Sequence, residues 1–275
     1  MAAKRQLADA LLRRWAGTGA AEELLLAPLA SLDDAMEVQG AMLDSPLAAP
    51  LGPHGGWKLG WKGALPEKHA LYGPLFSSGF VSSGDEVSLD ARAIHGAEAE
   101  FAVVLGQTLA LRDHEYTEAE VWDAVSHVEL CIELPGARQY KSTEALHYVA
   151  DALLSNVVVR GPALEKPSDP GKLSDVQVEL RFGGDTVSLG CGKENPGDSP
   201  VAALTFLANE LVASGRSLDA DQLVICGHCC MAAFAGRPWP PPLANGLAPQ
   251  VVIGSGGVLQ ADFDGLGEVG AVILP

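Results

Sequence analysis

The run Ala97-Glu98-Ala99-Glu100-Phe101-Ala102-Val103-Val104-Leu105 constrains the fold of this chain more than any other segment. It reads as a strand, in which successive side chains point to opposite faces. Glu98 and Glu100 then share one face, with Cα atoms roughly 6 to 7 Å apart. The opposite face, Ala97, Ala99, Phe101 and Val103, is apolar. A third glutamate closes a second apolar run, Leu130-Cys131-Ile132-Glu133-Leu134. Two readings fit. On an edge strand the three carboxylates face water. In an interior they are costly unless paired or bound to a cation, and three converging carboxylates suit a hard ion such as Mg²⁺. Periodicity alone does not choose between them.

The rest of the chain indicates what kind of sheet holds these strands. Residues 3–16 read as an amphipathic helix with Leu7, Ala10, Leu11 and Trp15 on one face. A second helix starts at Ser31-Leu32-Asp33-Asp34, where Ser31 and Asp34 have capping-box spacing. From Trp57 onward short apolar runs alternate with turns, in keeping with 31 glycines and 18 prolines. Strands are expected over 57–61, 98–105, 127–134, 157–160, 223–226, 251–253, 258–263 and 269–274, with a hairpin over 176–189. Helices are expected over 117–125, capped by Thr117 and Glu120, and from Ser199-Pro200 to about residue 213. Strands and helices do not alternate regularly, so the class is α+β rather than a doubly wound sheet. The natural division is a helical part over 1–55 and a β-rich part over 56–275.

A formal net charge of −17 argues against nucleic acid or an anionic membrane as partner. No apolar run reaches membrane-spanning length, and the N-terminus lacks the apolar stretch of a signal peptide. The five cysteines are odd in number, with three at Cys226, Cys229 and Cys230, which suits a reducing cytoplasm. The cluster Cys226-Gly227-His228-Cys229-Cys230 has the residue types of a zinc site. No partner CxxC or HxxH occurs elsewhere, so structural zinc is not expected. No dinucleotide fingerprint, P-loop or Gly-x-Ser-x-Gly elbow is present.

An ordered set of segments carries a resemblance. Gly56-Trp57-Lys58-Leu59-Gly60 precedes Tyr72-Gly73-Pro74-Leu75-Phe76, then Glu98-Ala99-Glu100-Phe101, Cys131-Ile132-Glu133 and Val149-Ala150-Asp151 with Ser155. Asn209-Glu210-Leu211 and Asp262-Phe263-Asp264-Gly265-Leu266-Gly267 follow. Together these resemble the fumarylacetoacetate hydrolase superfamily, in its branch of 2-oxopent-4-enoate (2-hydroxypenta-2,4-dienoate) hydratases and 4-oxalocrotonate decarboxylases. The resemblance implies a mixed β-roll core with a helical N-terminal part, a cytoplasmic enzyme and a homo-oligomer. It implies that Glu98, Glu100 and Glu133 hold Mg²⁺ or Mn²⁺, and that the substrate is a small 2-oxo acid.

It also implies roles for single residues. Lys58, otherwise readable as a snorkelling surface lysine, becomes the active-site lysine. Asp151 matches a family aspartate and becomes a catalytic residue that handles protons with Lys58; Leu59, Ser77 and Ser155 become substrate contacts. Glu67 and His69 match the water-activating pair that hydrolytic members carry on a lid, although a solvated charged loop is the plainer reading. Arg138 could hold a distal carboxylate, with a structural role preferred. Two departures stand out: Ala152 replaces the asparagine that usually follows the aspartate, and Ser77-Ser78 replaces an acidic residue. The leading expectation is a metal-dependent hydratase of a 2-hydroxydienoic acid. A decarboxylase, a C–C hydrolase of an acylpyruvate, and a degraded binding paralogue are the rivals.

Overall fold

The computed structural model describes residues 2–17, 28–61, 70–138, 144–237, 239 and 251–275. Helix α1 (Ala2–Trp15) buries Leu7, Ala8, Leu11 and Leu12, as its apolar spacing requires. Helix α2 (Leu32–Leu43) is capped by Ser31, whose Oγ accepts from the Asp34 N–H at 3.2 Å. The Asp34 carboxylate reaches one residue further back than in a regular capping box and accepts from the Ala30 N–H at 2.7 Å. Both helices pack on Leu71, Phe76 and the 149–153 segment, so the helical region shares a cluster with strand residues. Trp15 meets Phe76 edge-on, with ring centroids 5.2 Å apart.

In chain order the strands are β1 (His54–Trp61), β2 (Ala70–Phe76), β3 (Phe80–Ser82), β4 (Glu86–Ser88), β5 (Gly96–Leu105), β6 (Val125–Leu134) and β7 (Val157–Glu165). They continue as β8 (Gln177–Phe182), β9 (Asp185–Cys191), β10 (Leu223–Phe234), β11 (Val252–Ile253), β12 (Gly257–Phe263) and β13 (Gly267–Leu274). The helices between them are α3 (Leu89–Arg92), α4 (Glu118–Ala124), α5 (Ala145–Ala150), α6 (Gly171–Asp175) and α7 (Pro200–Ala213). The larger sheet runs β2-β1-β10-β5-β6-β7-β3, with β11 added to β10. The smaller runs β4-β13-β12-β8-β9. Parallel pairs β1/β10 and β3/β7 sit among antiparallel ones, so the sheet is mixed and the α+β class holds.

Strand β5 lies at the centre and is buried along its whole length. Ala97, Ala99, Phe101, Val103 and Leu105 face the main core, where Phe101 meets Phe263 at 5.0 Å. On the reverse face Ala102 and Val104 pack with Leu75, Cys131, Val158, Leu223 and Ile225. Glu98 and Glu100 continue that second face. The edge-strand reading of the glutamates is therefore wrong: β5 has a neighbour on each side and cover on both faces.

The structure corrects three other expectations. Strand β2 over Ala70–Phe76 is not among the strands expected from the sequence. Helix α5 was not anticipated, because a six-residue helix gives little periodic signal. Strand β10 runs to Phe234 rather than stopping at Cys226.

Candidate metal centre

Antiparallel pairing of β5 with β6 sets Glu98 directly opposite Glu133, and Glu100 opposite Cys131. Residues opposed in this way share a face. Glu98 is 9% exposed, Glu100 and Glu133 0%. One carboxylate oxygen from each lies within 4.8 Å of the others. Glu100 Oε2 accepts from the Gly227 N–H at 2.8 Å. Glu100 Oε1 and Glu133 Oε1 are enclosed without a donor.

Lys58 enters from β1, where it pairs with Gly73 on one side and Ile225 on the other. Its Nζ lies 2.5 Å from Glu133 Oε2 in a buried ion pair. Burial pulls the ammonium down, but the charges of Glu133, Glu98 and Glu100 outweigh it and hold Lys58 above its usual value. Burial, then the charges of Glu133 and Glu98, push Glu100 well above the ordinary carboxylate range. Glu133 is also pushed up, by burial first, with Lys58 opposing. One ammonium faces three carboxylates, so the site calls for additional positive charge. The enclosed oxygens and the all-oxygen donor set fit a divalent cation of the Mg²⁺ type.

A cavity of about 60 Å³ opens beside the trio. Lys58, Glu98 and His228 give it polar lining. Leu71, Leu153, Leu154 and Met231 are among its apolar lining. The two leucines belong to a turn in which Ala152, Leu153 and Leu154 all have positive φ, of 51°, 52° and 62°. The left-handed region is unfavourable for residues with a Cβ, though asparagine tolerates it. Ala152 thus occupies the position where the family's asparagine would be at ease. Gly73 lets β2 approach this turn, since a Cβ there would lie 2.3 Å from the Ala152 carbonyl oxygen.

The other residues singled out from sequence lie as follows. Asp151 is fully buried and its Oδ1 pairs with Arg138 Nε at 3.1 Å. Arg138 also donates to the Gly136 and Ser155 carbonyls and stacks on Trp15, 3.6 Å from the ring centroid. Arg138 and Asp151 anchor the turn rather than forming the cavity wall. Ser155 donates to the Pro74 carbonyl at 2.7 Å. Leu59 points into the main core. Ser77 begins a short 3-10 turn between β2 and β3, outside the cavity wall. Glu67 and His69 lie outside the described residues. Cys226, Cys229 and Cys230 belong to the apolar core, and among the described residues only the glutamates cluster as metal ligands. His228 and Met231 lie beyond residue 226, where the strand was expected to end, and register shifts in β10 set their face; the leucines of the 152–154 turn carried no periodic signal.

The family model for the fumarylacetoacetate (FAA) hydrolase C-terminal domain matches residues 62–274. This chain belongs to that family. Curated relatives carry the hydratase name of the branch that its ordered segments resemble. The chain is 29% identical over 207 residues to 2-keto-4-pentenoate hydratase 1 of Dechloromonas aromatica, covering 73% of this chain and 68% of that protein. It is 28% identical over 202 residues to that organism's 2-keto-4-pentenoate hydratase 2. Among solved structures, 4-oxalocrotonate decarboxylase from Pseudomonas putida G7, complexed with magnesium and adipate, superposes with TM-score 0.78. That match covers 98% of this chain and 96% of the other at 21% identity, and shows the shared fold. A fumarylacetoacetate hydrolase from Exiguobacterium antarcticum matches less closely, with TM-score 0.55 and 18% identity over 81% of this chain.

Proposed function

We propose that this protein is a divalent-metal-dependent lyase of a small 2-oxo or 2-hydroxydienoic acid, most closely a 2-oxopent-4-enoate-type hydratase. The observation that carries the reading is the buried trio of Glu98, Glu100 and Glu133 beside the Lys58-lined cavity. The hydratase names of its relatives support it. The three glutamates would hold Mg²⁺ or Mn²⁺, which supplies the positive charge that stabilises a developing enolate.

This chain's own residues do the rest. Lys58, fixed by Glu133, presents an ammonium at the cavity wall, where it can hold or pass a proton at the 2-oxo end of the substrate. Glu100 is oriented by the Gly227 N–H, which fixes the trio before substrate arrives. Asp151 and Ser155 act through structure: they hold the turn that carries Leu153 and Leu154 into the wall. The apolar wall excludes water from the substrate chain. Glu67 and His69 remain a proposed water-activating pair, whereas Leu59, turned into the main core, and Ser77, outside the cavity wall, take no part in this reading. The five free cysteines suit a reducing cytoplasm, and a homo-oligomer completes the reading.

One observation favours the hydratase over a decarboxylase of a dicarboxylic acid. Among the described residues no arginine lines the cavity, because Arg138 is committed to Asp151. A distal carboxylate finds no guanidinium among the described residues of the wall. The deciding experiment supplies 2-hydroxypenta-2,4-dienoate to the Mg²⁺-loaded protein and follows the dienol ultraviolet absorbance. Its loss is expected. Release of CO₂ from 4-oxalocrotonate, with no hydration, would overturn the hydratase assignment in favour of the decarboxylase.

A further inference from the structure

Strand β10 departs from alternation twice. Ile225 opposes Ala102, His228 opposes Glu100, and Met231 opposes Glu98. Register breaks fall between Ile225 and His228 and again between His228 and Cys230. Each break adds one residue to β10 relative to β5, which is a β-bulge. With strict alternation His228 would join Val224 and Cys226 in the main core. The first bulge turns it to the face of the glutamates and the second returns Met231 to that face, so Ile225, His228 and Met231 follow one another there at intervals of three.

The bulge is built rather than incidental. Gly227 has φ +99°, a conformation suited to glycine, and its N–H binds Glu100 Oε2. Asn195, fully buried, donates through Nδ2 to the Gly227 carbonyl at 2.5 Å and to the His228 carbonyl at 3.2 Å. The backbone of residues 227 and 228 is therefore gripped from both sides. The His228 side chain is not. It is half-buried, lines the cavity, and its imidazole has no hydrogen-bond partner among the described residues.

We propose that His228 is a substrate-contacting residue, whose imidazole donates a hydrogen bond to the carboxylate of the bound 2-oxo acid. This rests on the functional reading given above and goes beyond it. A carboxylate entering this site meets Glu98 on the wall and Glu100 and Glu133 behind it. It needs donors. Among the described lining side chains, Lys58, His228 and Trp239 carry N–H groups. Lys58 pairs with Glu133 and is assigned above to the 2-oxo oxygen, and the Trp239 indole nitrogen is enclosed. His228 is the side chain left with a donor to give, and its place opposite Glu100 brings it to the head of the substrate rather than its tail.

The test uses the full chain with Mg²⁺ and 2-oxopentanoate, a non-reacting 2-oxo acid. Dissociation constants are measured by calorimetry for wild type, His228→Ala and His228→Gln. Histidine ring resonances are recorded by NMR, with His228 assigned by its loss in either variant. Loss of one hydrogen bond weakens binding roughly tenfold. His228→Ala is expected to lose about that factor while Mg²⁺ affinity is unchanged, His228→Gln to recover part of it, and the His228 ring signal to shift on adding 2-oxopentanoate. Equal affinities in all three proteins with an unmoved His228 signal would overturn the assignment. If the wild-type protein binds Mg²⁺ but not 2-oxopentanoate, the functional reading itself falls, and this inference with it.

Discussion

The backbone N–H of Gly227 on β10 donates to Glu100 Oε2 on β5 across 2.8 Å. A strand irregularity thereby fixes the orientation of a carboxylate at the candidate metal centre. Gly227→Ala should break this link. Its φ of +99° disfavours a side chain, and a Cβ would lie 2.7 Å from Pro196 Cδ. The expected cost is about 1–3 kcal/mol in urea unfolding, together with weaker Mg²⁺ binding by calorimetry.

Removing the cation should expose the cost of three enclosed carboxylates. Mg²⁺ at 100 times its dissociation constant is expected to stabilise the protein by about 2.7 kcal/mol relative to the EDTA-treated form. Glu100→Gln keeps the shape of the side chain while removing a charge and a ligand oxygen. Thermal unfolding of this variant should no longer respond to Mg²⁺.

Lys58→Met separates cation binding from chemistry. It removes the ammonium 2.5 Å from Glu133 and leaves the trio in place. Mg²⁺ affinity should hold or rise, because a competing positive charge is gone. Turnover of the dienoic acid should fall about 10²- to 10⁴-fold, as for loss of a proton-handling group. A variant with full turnover would remove Lys58 from the proposed chemistry.

The Arg138–Asp151 pair is buried, with the two residues 4% and 0% exposed. Breaking such a pair on one side leaves an uncompensated charge and costs about 3–5 kcal/mol. Asp151→Ala and Arg138→Met should each destabilise by that order. A double-mutant cycle on urea unfolding should show the double variant losing much less than the sum.

His54 gives a pH dependence remote from the carboxylates. Burial, above all, lowers its pKa from 6.5 to about 4. The unfolded chain therefore takes up this proton near pH 6.5, while the folded chain resists until about pH 4. Between those values the unfolded state holds more protons, so stability falls as pH falls. Above pH 6.5 this histidine contributes no slope. Urea unfolding should show the wild type losing up to about 3 kcal/mol more than His54→Gln between pH 7 and 4.

Much of the fold was legible because its signals are local. Thr117 and Glu120 form the expected capping box, and Pro200 opens α7 where sequence places it. The carboxylate trio was legible as a set, but its burial was not. Glu98 and Glu100 look the same on an edge strand and a central one, and only the pairing of β5 with β6 and β10 decides. His228 was illegible for a sharper reason. Its face depends on the bulge between Ile225 and His228, and a bulge changes no residue's own propensity. Asp151 and Ser155 were visible as positions, yet their contacts with Arg138 and the Pro74 carbonyl join segments far apart in the chain.

The left-handed turn at Ala152, Leu153 and Leu154 limits how this pocket can be redesigned. Two of its three residues line the cavity, so anyone seeking a larger or more polar substrate would mutate them first. β-Branched replacements there meet a backbone that opposes them before any ligand is bound. Asparagine or glycine would settle into the same backbone with less strain. Gly73 cannot accept a side chain while the turn stays where it is. The wall therefore evolves most readily by polar exchange at Leu153 and Leu154, and enlarging it is easier from Leu71, where the backbone is ordinary strand.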